Sequence, residues 1–153
     1  MNKDELNYYV HELHWHLPEE TKQQAIDYLI ENAPINDLGQ LFALSSKPHW
    51  QNCMKVVAAI GYPYNIAAFP KMVELFQDMN WPGANEAVDY FKKLEKEVVV
   101  LFIEAGCKQA IKENDEQWLW FLYTVCERLQ IERLHFLDGT GYDTMEEIYV
   151  REA

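Results

Sequence analysis

Three cysteines, Cys53, Cys107 and Cys126, are too few and too widely spaced for a disulfide framework or a paired-cysteine zinc site. Each lies inside an apolar helical pattern, so buried free thiols are expected. Glycine and proline, six of each, are scarce enough to exclude a disordered chain. There is no Gly-rich phosphate loop, no Gly-x-Ser-x-Gly turn and no convincing Cys–His pair. Long hydrophobic runs are missing too: the longest, Val98 to Ile103, falls far short of the ~20 residues of a membrane span. The start MNKDELNYYV has neither the apolar core nor the cleavage site of a signal peptide, and a cytoplasmic protein is expected. Basic residues are outnumbered, 13 Lys and Arg against 25 Asp and Glu, for a net charge of −12. Their only local cluster, Lys92, Lys93 and Lys96, is diluted by Glu95 and Glu97. Phosphate neutralisation needs clustered cations, so nucleic acid is not an expected partner; a basic protein is electrostatically permitted, beside the plainer reading of the charge as solubility.

What remains is a chain of 153 residues rich in apolar and aromatic side chains, read as one domain over 1–153, large enough to bury a core without metal or disulfides. Most of it reads as amphipathic helix. Leu6, Val10, Leu13 and Leu17 recur at helical spacing, and after Pro18 and the acidic turn Glu19–Glu20 a second stripe follows in Ala25, Ile26, Leu29 and Ile30. Pro34 and Gly61 bracket another pair, about Asp37–Leu44 and Pro48–Ile60, so residues 1–61 are expected to form helical pairs. The segment VVVLFI is β-branched enough to pass as a strand, but no second strand exists to pair with it, and it is read as helix. Gly106 within that helix marks close packing or a kink.

Trp50, Trp81 and Trp118 each stand at the start of a helical pattern, 31 and 37 residues apart. Those gaps lie near the ~34–47 residue periods of two-helix repeats. The expected fold is all-α, about eight or nine helices in stacked antiparallel hairpins, each burying a face its neighbour covers. At the end, DGTGYDTMEEIYV reads as a glycine turn followed by a short helix opened by Asp143, with Glu146 completing a capping box.

Candidate chemistry is sparse. On one helix His11 and His14 would stand about 60° apart, while His16 would fall about 160° from His14, so the three could not converge unless the helix broke. His11 and His14 are the only metal candidates, set against a plainer role as helix-edge rings, and no metal or other cofactor is expected. The carboxylates Glu19–Glu20, Asp78, Asp115–Glu116 and Glu146–Glu147 sit mostly at helix starts, where they satisfy unpaired N–H groups; Asn114 with Gln117 reads as one more reciprocal cap. In LFQDMNWPGANEAVDYF, Trp81 should leave one helix and Pro82 open the next, with Asp78 and Asn80 bonding the corner's free backbone groups. Gln77, Asp78, Asn80 and Trp81, together with Asp115 and Trp118, are candidate binding residues if they share one exposed edge. Trp120, about 200° around its helix from Trp118, is the better aromatic anchor for a partner.

The corner Phe76, Gln77, Asp78, Met79, Asn80, Trp81, Pro82, the later turn with Asp115 and Trp118, and the acidic tail YDTMEEIYVREA resemble a bacterial family of uncharacterised domains with HEAT-like helical repeats. The resemblance runs from about Ile66 to the C-terminus and is most specific at the corner. It implies an all-helical HEAT-like α-solenoid and supports VVVLFI as helix; it implies no activity. The leading expectation is a non-enzymatic protein-interaction module. The alternatives are an acidic immunity or inhibitor protein that neutralises a basic toxin or nuclease, and more remotely a metal-dependent hydrolase.

Overall fold

Apolar residues at three- and four-residue spacing dominate the chain, and the computed structural model, which describes all 153 residues, resolves them into nine α-helices, four short 3-10 helices and no strand. The protein is all-α. None of its helices is long and apolar enough to cross a membrane. The chain divides into two compact units, Met1–Lys71 and Met72–Ala153.

In the first unit, α1 (Lys3–His11) is opened by Asn2, whose side chain accepts the Glu5 N–H at 2.8 Å, and buries Leu6 and Val10. The helix stops at His11, although the apolar spacing continues through Leu13 and Leu17. Two tertiary bonds account for the stop: the Asn52 amide donates to the Leu13 carbonyl at 2.7 Å, and the Trp15 N–H donates to the Pro48 carbonyl at 3.1 Å. Leu13 is fully buried all the same, as an irregular segment laid against α4 (Lys47–Ile60). Helix α2 (Glu19–Asn32) packs on both α1 and α4 through Ala25, Ile26 and Leu29. The expected helix at 37–44 is instead a 3-10 turn, Ile35–Asp37, followed by the four-residue α3 (Gln40–Ala43). Helix α4 begins with a capping box between Ser46 and His49 and buries Cys53, Met54, Val56 and Val57.

Helix α5 (Phe69–Glu74) contains the boundary between the units and tightens into a 3-10 turn at Leu75–Gln77. The second unit continues with α6 (Ala84–Phe91), α7 (Lys96–Lys112), α8 (Glu116–Leu129) and α9 (Thr140–Glu152). Helix α8 is its centre, packed by α6, α7, α9 and the Leu75–Gln77 turn. VVVLFI lies inside α7, where Val99, Val100 and Ile103 are buried. Gly106 faces the closest approach in the unit: a Cβ there would stand 2.6 Å from Val73 Cγ1 and 3.8 Å from both Leu122 and Trp118. It marks close packing.

Two helix starts fall elsewhere than the sequence predicts. Pro82 does not open α6; Gly83, at φ 91°, turns the chain in the left-handed region and the helix begins at Ala84. Asp143 does not cap α9, because its carboxylate is taken by the Arg133 guanidinium at 2.8 and 3.1 Å; the helix starts at Thr140, whose N–H and hydroxyl both donate to Asp138. Gly141 is therefore helical, 3.2 Å from Cys107 Cβ as measured from its would-be Cβ.

Candidate functional site

The corner at 75–83 and the turn at 113–116 are built from their own hydrogen bonds. Asp78 accepts the Asn80 N–H at 2.9 Å, an Asx turn, and the Trp81 N–H donates to the Asp78 carbonyl at 2.9 Å. The later turn closes α7 and opens α8 within three residues. Asn114, at φ 55°, lets the Asp115 N–H reach back to the Ala110 carbonyl at 2.8 Å, and the Asp115 side chain then accepts the Trp118 N–H at 3.0 Å. Asp115, and not an Asn114–Gln117 pair, is the cap.

The fold brings these two turns together. The Gln117 amide donates to the Gln77 carbonyl at 3.5 Å, and Trp118, only 2 % exposed, donates its indole N–H to the Val73 carbonyl at 3.3 Å. Gln77, Asp78, Trp81 and Asp115 are half-buried and Asn80 is exposed. Asp78, Asp115 and Trp118 thus each have a structural task, and the two turns form one hydrogen-bonded seam.

Trp120 borders that seam, with Gln117 common to both. It lies half-buried on α8 and lines a groove of about 470 Å³ with Glu116, Gln117, Ile148 and Glu152. A second hollow of about 330 Å³, lined by Ile111, Asn114, Leu119 and Thr144, shares Glu116 and Ile148 with it and prolongs the groove. Trp120 is the one aromatic residue of that lining, and further rings back it. Trp120 packs 5.5 Å from Tyr149, Tyr149 4.5 Å from Tyr123, and Tyr123 5.8 Å from Tyr142, so a ladder of rings joins α8 to α9. Burial pushes the Tyr142 hydroxyl up to about 12 and keeps it neutral. The other border is charged. Arg151 donates to Glu116 at 2.8 Å and lies 3.5 Å from Glu152, with all three side chains about half exposed. Sequence reasoning singled out Trp120 but not Glu116, Tyr149, Arg151 or Glu152 as its neighbours; the ring residues at 142 and 149, seven apart in the last helix, were the available signal.

In comparison with known proteins, no family model matches the chain, and neither a curated protein nor a solved structure matches it.

The histidines gather differently from the expectation for one continuous helix. Because α1 ends at His11, His14 turns back: its Nδ1 accepts the His16 N–H at 3.1 Å, and its ring lies 5.4 Å from that of His16. His49, which no sequence pattern singles out, completes the group, with its ring 5.1 Å from His14 and 5.9 Å from His11. Burial is the main force holding the His49 imidazole below its usual pKa; the Ser46 carbonyl opposes it, and the nearby rings of His14 and His11 add to it. The two His49 contacts are edge-to-face ring packing beside the α4 cap. No group of three His, Cys, Asp or Glu side chains anywhere in the chain is arranged to hold a metal ion.

No disulfide joins the cysteines. All three are buried and free, and burial pushes the Cys53 and Cys126 thiols up to about 12 and Cys107 higher still. Glu104 is the buried carboxylate, 5 % exposed. It accepts the N–H groups of Leu137 and Asp138 at 2.9 and 3.0 Å and so fixes the turn before α9.

Proposed function

We propose that the protein is a non-enzymatic protein-interaction module built from HEAT-like helical hairpins, and that its partner is basic. The observation that carries the reading is the groove beside Trp120, where one partly exposed indole meets the carboxylates of Glu116 and Glu152. A partly exposed Trp is the residue type of a protein-binding anchor, and the carboxylates beside it are complementary to a cationic partner. The consecutive packing of α7 on α8 and of α8 on α9 supports the hairpin description, and the α6–α8 contacts extend it. The charge supports the choice of partner. Of the 25 carboxylate side chains 17 lie in Met72–Ala153, against 8 of the 13 Lys and Arg. Such a field speeds encounter with a cationic surface and rejects anionic ones.

The test is affinity capture with the full chain across an ionic-strength series. A stoichiometric basic protein whose Kd rises steeply with salt supports the reading; turnover of a small molecule with no protein retained overturns it. The same charge asymmetry favours one specific form of the function, an inhibitor that masks a basic toxin or nuclease. Loss of that partner's activity on mixing distinguishes this form from simple scaffolding.

A further inference from the structure

We propose that the groove beside Trp120 receives an arginine side chain of the basic partner, and that Arg151 occupies its carboxylate end until the partner arrives. This rests on the protein-binding reading above. The groove offers the three things a guanidinium uses. Trp120 supplies an aromatic face, on which the planar guanidinium stacks better than an ammonium does. Glu116 and Glu152 line the same hollow and supply acceptor oxygens for its forked donors. Ile148 and the adjoining hollow with Ile111 and Leu119 supply an apolar path for the methylene stem. The volume of about 470 Å³ is that of a site for an organic group, not for a bare ion.

The chain already makes a version of this contact with itself. Arg151 donates to Glu116 at 2.8 Å, with side chains 51 % and 60 % exposed. An ion pair so open to water holds weakly, so an incoming guanidinium that also stacks on Trp120 displaces it at little cost. Charge complementarity sets the occupant: phosphate is repelled by the lining carboxylates, and a second copy of this chain brings the same acidic surface.

The experiment titrates the isotope-labelled full-length protein with an acetylated, amidated Gly-Arg-Gly-Arg-Gly peptide at low salt. Parallel peptides carry lysine or citrulline, the neutral isostere of arginine. The expected result is a shift of the Trp120 indole N–H resonance, with arginine bound more tightly than lysine and citrulline not bound. Glu116→Gln weakens binding about tenfold, and Arg151→Ala, which frees Glu116, strengthens it three- to tenfold. Arg128→Ala removes the same charge at the Asn85–Asp89 contact and is the control, expected to change affinity less than twofold. Binding that leaves Trp120 unshifted and is indifferent to Glu116→Gln overturns the groove assignment while leaving a basic partner standing. Equal effects of Arg151→Ala and Arg128→Ala overturn the placeholder role. If the peptide does not bind and capture still yields a basic protein, the groove is refuted and the interaction reading survives; if neither binds, both fall. Concentration-dependent dimerisation through this face, read by analytical ultracentrifugation, also overturns the assignment.

Discussion

Replacing Gly106 by alanine sets two known effects against each other at one point. In an exposed helix interior the change stabilises by about 1 kcal/mol through backbone entropy. Here the new methyl stands 2.6 Å from Val73 Cγ1, a distance real contacts do not reach, and Val73 is 1 % exposed on a stiff, β-branched side chain. The Val73 backbone cannot retreat freely either, because its carbonyl accepts the Trp118 indole N–H. Overpacking of this kind costs about 1–3 kcal/mol, so Gly106→Ala is expected to destabilise by a net of about 1 kcal/mol, or roughly 2–4 °C in Tm for a chain of this size. Val73→Ala alone leaves a cavity and costs about 2 kcal/mol. In the double variant the added methyl enters the space the valine vacates, so the pair is less destabilising than the sum of the singles by about 1–3 kcal/mol. Urea unfolding followed by far-UV circular dichroism gives all four corners of the cycle. A stabilised Gly106→Ala protein, or additivity within about 0.5 kcal/mol, refutes the claim that glycine is there for close approach.

Three further outcomes are expected from the same packing. Glu104→Gln replaces one of the two acceptor oxygens that hold the Leu137 and Asp138 N–H groups with a donor, and is expected to cost about 2–3 kcal/mol in the same unfolding assay; a change below about 0.5 kcal/mol would show that the turn holds without it. Because burial keeps the folded-state pKa of His49 below its ordinary value near 6.5, its contribution to stability is fully present above that value and is lost as pH falls towards the folded pKa. Stability measured from pH 7.5 to 5.0 should therefore decline less steeply in His49→Gln than in the parent; an unchanged slope would refute this. All three thiols should resist an aromatic disulfide reagent at pH 8 in the native protein and react together in urea, since burial raises each of them; a fast-reacting thiol in the folded state would contradict their burial.

The helices were legible wherever the apolar stripe was long. VVVLFI is the clearest case: its β-branched residues argue for a strand, yet Val99, Val100 and Ile103 bury one face of α7 as its length and surroundings required. What the sequence did not disclose are the ends, because tertiary bonds decide them. The stripe through Leu13 is real, but Asn52, 39 residues away, takes the Leu13 carbonyl and unwinds the segment, which then brings His14 and His16 together in a way helical geometry forbids. Asp143 has the spacing of a cap and is diverted by Arg133. A rotation of about 200° along one helix marked Trp120 as the better anchor, but Trp118, also read as a candidate binding residue, is buried in the core. The groove itself was not, since Glu116 and Arg151 are 35 residues apart and nothing local links them.

Glu104 has one more consequence, for motion. Leu134 and Leu137, at 75 % and 85 % exposed, are the barest large apolar side chains in the protein, and they sit in the segment joining α8 to α9. Such a connection would ordinarily be the loosest part of a helical hairpin and the first place a protease cuts. Here its backbone is bolted to the middle of a third helix, α7, by one carboxylate. Two backbone hydrogen bonds to that helix oppose hinge motion at the joint. On the binding reading proposed above, the ring ladder and the groove between α8 and α9 would be presented at a set width, and a partner would meet a preformed slot rather than a pair of helices that must first close around it.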